Sequence, residues 1–143
     1  MLKERNQTGN VVSMYSSIIK YDKNGIICPY STWRDEYGAS CSKDLFFGSG
    51  GGFLFQPSEL FKDLTNLDLA LQLCPTADDI WLNAMVRLSA RRISKIKSGL
   101  LLPIEQKDNT NRLANDNVEG GRNDYQLRAV NEYYEKLLNI KVF

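Results

Sequence analysis

The segment LCPTADDIWLNAM, Leu73 to Met85, contains a helix stop, an acidic pair and the clearest helical period in the chain. Pro75 cannot continue the helical pattern that precedes it, so a helix ends there. After the acidic pair the apolar residues recur at steps of three to five, at Ile80, Trp81, Ala84, Met85 and Leu88. This spacing predicts an amphipathic helix that begins at Asp78 and turns one apolar stripe toward a core.

Patterns typical of strands and of helices alternate on both sides of that helix. The predicted strands are a hairpin, Val11–Tyr21 and Ile26–Tyr30 around the turn cluster Asp22–Gly25, two pieces within Leu45–Phe55, and Lys95–Ile104. Further predicted helices are residues 57–64, 65–74 and 123–139, whereas Ser31–Asp44 and Glu105–Gly121 lack a period and predict loops, the second one long and mobile. We therefore predict an α/β fold over residues 1–143, a single layered domain with a mixed sheet, a β-hairpin and packing helices.

The composition excludes several classes of function. The chain has 18 basic and 17 acidic residues, and its formal charge of +1 is too small to predict a nucleic-acid partner. It has no histidine, which excludes imidazole metal sites and His-dependent catalysis. Its three cysteines form no CxxC pair, and no apolar run approaches the ~20 residues of a membrane span. We expect a cytoplasmic protein without a transmembrane segment and without a metal site in this chain.

Asp78 and Asp79 have two physically sound interpretations. Residues 76–79 match the Ser/Thr-x-x-Asp/Glu capping box, in which Thr76 accepts from an early helical N–H and Asp79 accepts from the N–H of Thr76. Acids at a helix start also gain ~0.3–1 kcal/mol from the helix dipole. Alternatively, a carboxylate held rigidly there can act as a general base on a hydroxyl group. The pattern alone favours the cap, but one aspartate can cap while its neighbour does chemistry.

The glycine cluster Gly48–Gly52 and the two tryptophans are further candidates for a binding site. The cluster reads GSGGG and matches neither the GxGxxG nor the P-loop spacing, so a flexible connection or a bulge is its more common role. Missing side chains nevertheless let a flat substrate such as a sugar ring approach the backbone. Trp33 and Trp81 can stack on a sugar or a base, although Trp81 lies on the apolar stripe, where core packing is more common.

Together these motifs are more specific than any one of them. The strings GGFLFQP and LCPTADDIWLNAM, preceded by IIKYDKNGIICPYSTW, resemble the C-terminal half of bacterial inverting glycosyltransferases with the GT-A fold. The resemblance covers residues 11–88 well and the helix start near Asn123 more loosely. It implies a GT-A-like acceptor-side half that transfers a sugar from a nucleotide-sugar donor to a saccharide acceptor with inversion, in cell-surface polysaccharide synthesis.

The resemblance also implies roles for single residues. Asp79 takes the position of the base that deprotonates the acceptor hydroxyl, and Asp78 is its neighbour in the catalytic acidic pair and an acceptor-binding residue. Acceptor binding falls on Gly51, Gly52, Trp81 and Trp33, with support of the helix as the alternative role of Trp81. Ser49-Gly50 and Phe55-Gln56 depart from the usual loop, which affects the expected loop shape and acceptor preference.

Family members also carry an N-terminal half whose D-x-D motif holds a divalent metal, Mg²⁺ or Mn²⁺, and the nucleotide sugar. No D-x-D precedes the predicted hairpin. We therefore expect the isolated chain to be inactive, and we expect self-association through the surface that would meet the missing half. The rival hypotheses are a non-catalytic binding or interaction module and a truncated fragment without independent activity.

Overall fold

A computed structural model describes residues 1–97 and 115–143. Within these ranges the chain forms seven strands and four α-helices. The strands are β1 (Val11–Ser13), β2 (Ser16–Ile18), β3 (Arg34–Glu36), β4 (Ser40–Ser42), β5 (Leu45–Phe47), β6 (Phe53–Leu54) and β7 (Ile93–Lys95). The helices are α1 (Leu2–Thr8), α2 (Leu67–Leu73), α3 (Asp78–Leu88) and α4 (Arg122–Leu138).

The strands of the described residues form two sheets. One is a mixed four-stranded sheet in the order β4-β7-β1-β6, in which β7 and β1 are parallel and the other pairs antiparallel. The other is antiparallel, in the order β3-β2-β5. Because only Met14 and Tyr15 separate β1 from β2, the chain changes sheets at that dipeptide. The predicted α/β class, with a mixed sheet and packing helices, is thereby confirmed.

Helix α3 is buried on two sides and joins the two parts of the core. One side packs with α2 and α4 through Ile80, Ala84 and Met85. On the other side Val86 packs with apolar residues of β1, β5 and β7. The strands that meet it have short apolar runs, such as Leu45–Phe47, as expected of strands covered on both faces. The apolar stripe predicted for this helix is confirmed.

The predicted β-hairpin is present in reduced form. Its turn is confirmed: the Gly25 N–H donates to the Asp22 carbonyl (3.0 Å), and the Asp22 carboxylate accepts from the N–H of Asn24 and of Ile26. Across the turn, however, the pairing is a single bridge between Tyr21 and Ile27. A continuous strand over residues 11–21 is wrong, because the chain leaves one sheet after Ser13 and enters the other at Ser16.

Other boundaries also need correction. The segment 31–44, predicted as a loop, contains β3 and β4, because tertiary pairing with β2 and β7 overrides its turn-rich composition. Residues 57–64 form 3₁₀ turns, Pro57–Glu59 and Lys62–Thr65, in place of an α-helix. The strand predicted over Lys95–Ile104 shares only Lys95 with β7, which spans Ile93–Lys95, and residues 98–104 of that prediction lie outside the described part of the chain.

The predictions of the other three helices are confirmed. Helices α2, α3 and α4 lie within two residues of their predicted bounds, whereas α1 was not predicted. Of the loop predicted over 105–121, residues 115–119 form a π-helical turn, and residues 105–114 lie outside the described part of the chain. No helix in the described ranges is long and apolar enough to cross a bilayer.

Candidate functional site

The first turn of α3 is fixed to the sheet by Asn83. This side chain is only 1% exposed. Its oxygen accepts from the Phe47 N–H (3.1 Å), and its NH₂ donates to the carbonyls of Phe47 (2.9 Å) and Asp79 (2.8 Å). Since Phe47 ends the strand that leads into the glycine cluster, one side chain positions both the cluster and the acidic pair. Sequence reasoning missed Asn83, although a lone amide within an apolar helix stripe is a usable signal of a buried polar contact.

The capping box predicted for this helix does not form. The residue at the N-cap position is Ala77, so Thr76 lies one residue too early to cap. Thr76 instead contacts residues distant in sequence. Its hydroxyl donates to the Asn117 side-chain oxygen (2.7 Å) in the π-helical turn, and its backbone N–H donates to the Gln126 side-chain oxygen (3.0 Å) on α4. The cap is therefore wrong, because contacts with distant residues satisfy the groups that it would have used.

Asp78 is exposed and connects the helix start to the glycine cluster. Its Oδ1 accepts from the Ser49 hydroxyl (3.1 Å) and from the Asp79 N–H (3.0 Å). Ser49 is one of the residues by which this chain departs from the resembled loop. The departure thus supplies a direct contact between the loop and the acidic pair.

Asp79 is half-buried beside Asp78, and its Oδ1 accepts from the Ile80 N–H (2.9 Å). Burial, and after it the charge of Asp78, raises the pKa of Asp79 to about 6, against an opposing effect of the backbone N–H groups. Its negative charge in turn raises the pKa of two neighbours, Tyr30 and Cys74, after the larger effect of their own burial. Asp79 is therefore a carboxylate that exchanges protons close to neutral pH.

The glycine cluster lies directly against Tyr15. A Cβ added at Gly48 would lie 3.0 Å from the tyrosine ring, and one added at Gly51 would overlap the Tyr15 Cβ. Gly52 has a left-handed backbone (φ +88°), and its carbonyl accepts from the Met14 N–H (3.0 Å). At Gly51 and Gly52 glycine is thus required by close packing and by the backbone turn, whatever ligand approaches from outside.

Trp33 belongs to an aromatic group with Tyr30 and Phe46. Its ring centroid lies 4.7 Å from that of Tyr30 and 5.3 Å from that of Phe46, and its N–H donates to the Cys28 carbonyl (3.0 Å). It is half-buried, and its ring neighbour Tyr30 lies within electrostatic range of Asp79. The backbone of Tyr30 is in turn fixed by α4, because its N–H donates to the Asp124 carboxylate (2.7 Å).

Trp81 lies on the other side of the acidic pair and is 4% exposed. Its indole N–H donates to the Leu64 carbonyl (3.2 Å). With Asp78 it borders an open, largely apolar cavity of about 500 Å³ between α2 and α3, whose rim includes Leu67 and Leu71. Of the two roles predicted for Trp81, contact with an acceptor or support of the helix, its packing is that of the second.

The structure therefore brings together the acidic pair and the glycine cluster, and it places Tyr30, the ring neighbour of Trp33, within electrostatic range of Asp79. Among the described residues no group of three or more cysteine, aspartate or glutamate side chains is placed to hold a metal ion. On its own, this arrangement offers an exposed carboxylate at Asp78 and, at Asp79, a carboxylate that can accept a proton near neutral pH. No protein-family model, curated protein or solved structure matches the chain.

Proposed function

We propose that this chain is the acceptor side of an inverting glycosyltransferase with a GT-A-like arrangement, and that Asp79 is its general base. The observation that carries the proposal is the state of Asp79, a rigidly held, half-buried carboxylate with a pKa of about 6. A general base works best when its pKa lies near the working pH. An unperturbed carboxylate near pKa 4 is a weaker base toward a sugar hydroxyl.

The reaction needs one proton transfer in this part of the molecule. The acceptor O–H gives its proton to the Asp79 carboxylate while the acceptor oxygen forms a bond to the anomeric carbon of the donor. The bond from that carbon to the nucleoside diphosphate breaks on the opposite face, which inverts the configuration. Asn83 holds the backbone of Asp79 in place during this step, so little reorganisation is needed.

Acceptor binding is assigned to the surface next to the base. Gly51 and Gly52 let a sugar ring approach the backbone, and Trp33 and Trp81 are the aromatic residues that we assign to the acceptor. The resemblance implies that the nucleotide sugar and its divalent cation, Mg²⁺ or Mn²⁺, are held by a separate half. No step involving them is assigned to residues of this chain.

The first test is saccharide binding by the 143-residue chain. A ¹⁵N-labelled sample is titrated with neutral and acidic oligosaccharides, and amide chemical shifts are followed. We expect shifts at Gly51, Gly52 and Asp79 with at least one saccharide. Gly25, in the remote turn, is the internal control and does not shift. A panel of saccharides that moves none of the three site amides contradicts the acceptor role.

The second test separates a catalytic chain from a binding module. The chain is joined to a nucleotide-sugar-binding half of the resembled family, and transfer to the bound saccharide is measured with and without Mn²⁺. Transfer that depends on Asp79 supports the enzyme. Saccharide binding without transfer favours the rival hypothesis, a non-catalytic binding module.

A further inference from the structure

Tyr15, which is 36% exposed, lies where the chain passes between the two sheets and packs against the glycine cluster. It lies in the dipeptide at which the chain passes from β1 to β2. Its ring and Cβ fill the space that side chains at Gly48 and Gly51 would occupy. The cluster can therefore adopt its observed path only because it rests on this tyrosine without side chains of its own.

A carboxylate on β3 holds the other end of Tyr15. The tyrosine hydroxyl donates to Asp35 Oδ1 (2.7 Å), and the same oxygen accepts from the Ser17 hydroxyl (3.1 Å). The second oxygen of Asp35 lies 3.4 Å from the Tyr37 hydroxyl. Burial and this hydrogen bond raise the pKa of Tyr15 to about 12, so its hydroxyl stays a donor throughout the neutral range.

The glycine cluster continues this chain of contacts to the acidic pair. Ser49, between the two glycines that rest on Tyr15, donates to Asp78. The same Asp78 oxygen accepts from the backbone of Asp79. The contacts therefore run without a gap from β3 through the tyrosine and the loop to the first turn of α3.

We propose that Tyr15 is a positioning residue for the proposed base, because it supports the glycine loop whose Ser49 keeps the Asp78 carboxylate beside Asp79. The purpose of this positioning depends on the proposed function, whereas the titration that tests it does not. The tyrosine does not touch the reacting atoms. Its effect passes through the loop, and Asp35 keeps it in the supporting position.

The sharpest test compares two neighbouring glycines. Gly51→Ala places a methyl group on the Tyr15 Cβ and pushes the loop away, whereas Gly50→Ala meets no atom within 4 Å. Neither glycine has a left-handed backbone, so alanine causes no strain of its own at either position. The readout is the pH titration of the Asp79 carboxyl carbon by NMR in the isolated chain.

Moving the loop breaks the hydrogen bond from Ser49 to Asp78, so the Asp78 charge is no longer held beside Asp79 and the pKa of Asp79 falls. In Gly51→Ala we expect the titration midpoint to fall from about 6 by about one unit, toward the ordinary 3.8. In Gly50→Ala it stays at the wild-type value. The other titratable neighbours, Tyr30 and Cys74, are neutral across this range because burial raises the pKa of each.

A second pair of variants acts on the tyrosine itself. Tyr15→Ala removes the ring that lies against Gly48 and keeps only the Cβ, so we expect it to lower the Asp79 midpoint as Gly51→Ala does. Tyr15→Phe keeps the ring and loses only the bond to Asp35, so it restores most of the wild-type midpoint. Tyr125→Ala, at a tyrosine that is 63% exposed on α4, is the control for loss of a ring. Folding is checked by circular dichroism in every variant, and Gly51→Ala decides the question if Tyr15→Ala does not fold.

The outcomes distinguish this inference from the proposed function. A wild-type midpoint in folded Gly51→Ala or Tyr15→Ala overturns the positioning role of Tyr15, even where saccharide binding is found. A lowered midpoint in a chain that binds no saccharide retains the positioning role and removes the proposed function.

Discussion

The starts of α3 and α4 are similar in sequence, but the acids in their first turns make different contacts. Neither helix has a side-chain N-cap, since the capping positions are Ala77 and Gly121, and both carry acids in the first turn. At α4, the Asp124 carboxylate accepts a hydrogen bond from the N–H of Tyr30, a residue 94 positions away. At α3, Asp79 accepts from the backbone of its own turn and has a raised pKa. The surrounding chain therefore decides whether such an acid forms a hydrogen bond to a distant residue or has a raised pKa.

The largest expected effect is on turnover. In the chain joined to a donor half, Asp79→Asn removes the proton acceptor and keeps the hydrogen bond to the Ile80 N–H. We expect kcat to fall by about 10²- to 10⁴-fold without loss of thermal stability. Fixed-time transfer assays measure kcat, and thermal melting measures stability, on the same preparation.

The matched control is Asp68→Asn, at an exposed acid in the first turn of α2. It leaves kcat within about twofold of wild type, since surface changes of this kind have small effects. If Asp79→Asn keeps its turnover and loses stability, the carboxylate is a cap after all, and the two helix starts are equivalent.

The next effect concerns the residue that holds the start of α3. Asn83→Ala leaves the buried N–H and carbonyl of Phe47 without partners, and each lost partner costs about 1–3 kcal/mol. We expect the free energy of unfolding to fall by about 2–4 kcal/mol in urea titrations. Asn131→Ala, which removes amide hydrogen bonds to the C-terminal residues, serves as a comparison at a less buried site. Equal losses of unfolding free energy in Asn83→Ala and Asn131→Ala would show that Asn83 does not hold the start of α3 more strongly than an ordinary amide contact does.

Removing the acid at the other helix start gives a smaller loss. Asp124→Ala breaks the charged hydrogen bond to Tyr30 and frees the segment that carries the aromatic group. We expect a loss of about 1.5–3 kcal/mol in the free energy of unfolding, because hydrogen bonds to charged groups contribute this much. Asp124→Asn retains an acceptor oxygen and regains about half of that loss. A stability equal to wild type in Asp124→Ala would show that the two acids do not differ as described.

Sequence periodicity predicted the parts of the fold that depend on local pattern. The apolar stripe of α3 and the Asp22–Gly25 turn could be predicted from the sequence, because helix period and turn chemistry depend on neighbouring residues. The sequence did not predict the pairing of β3 and β4 or the 3₁₀ turns, since these depend on partners that are distant in the chain. The site divides in the same way. The acidic pair and the glycine cluster were visible, whereas the contacts of Asn83, Tyr15 and Ser49 depend on which elements meet in space.

The smallest effect tests the raised pKa of Asp79 through stability. The pKa is about 6 in the folded chain and 3.8 ordinarily, so the folded state binds the proton more tightly than the unfolded state. Below pH 4 both states are protonated and the carboxyl costs nothing. As the pH rises to 6 its ionisation destabilises the fold, by about 1–2 kcal/mol after allowance for solvent screening of a half-buried group.

Asp79→Asn cannot ionise and therefore escapes this destabilisation. We expect the variant and the wild type to be equally stable at pH 3.5, and the variant to be more stable by that 1–2 kcal/mol at pH 7. Urea titrations at both pH values measure the difference. Asp124→Asn is the counterpart, because its carboxylate is stabilised by the Tyr30 N–H and its loss lowers stability at pH 7. The two helix starts thus respond to the same substitution with opposite signs, and a common sign at pH 7 would remove the distinction between them.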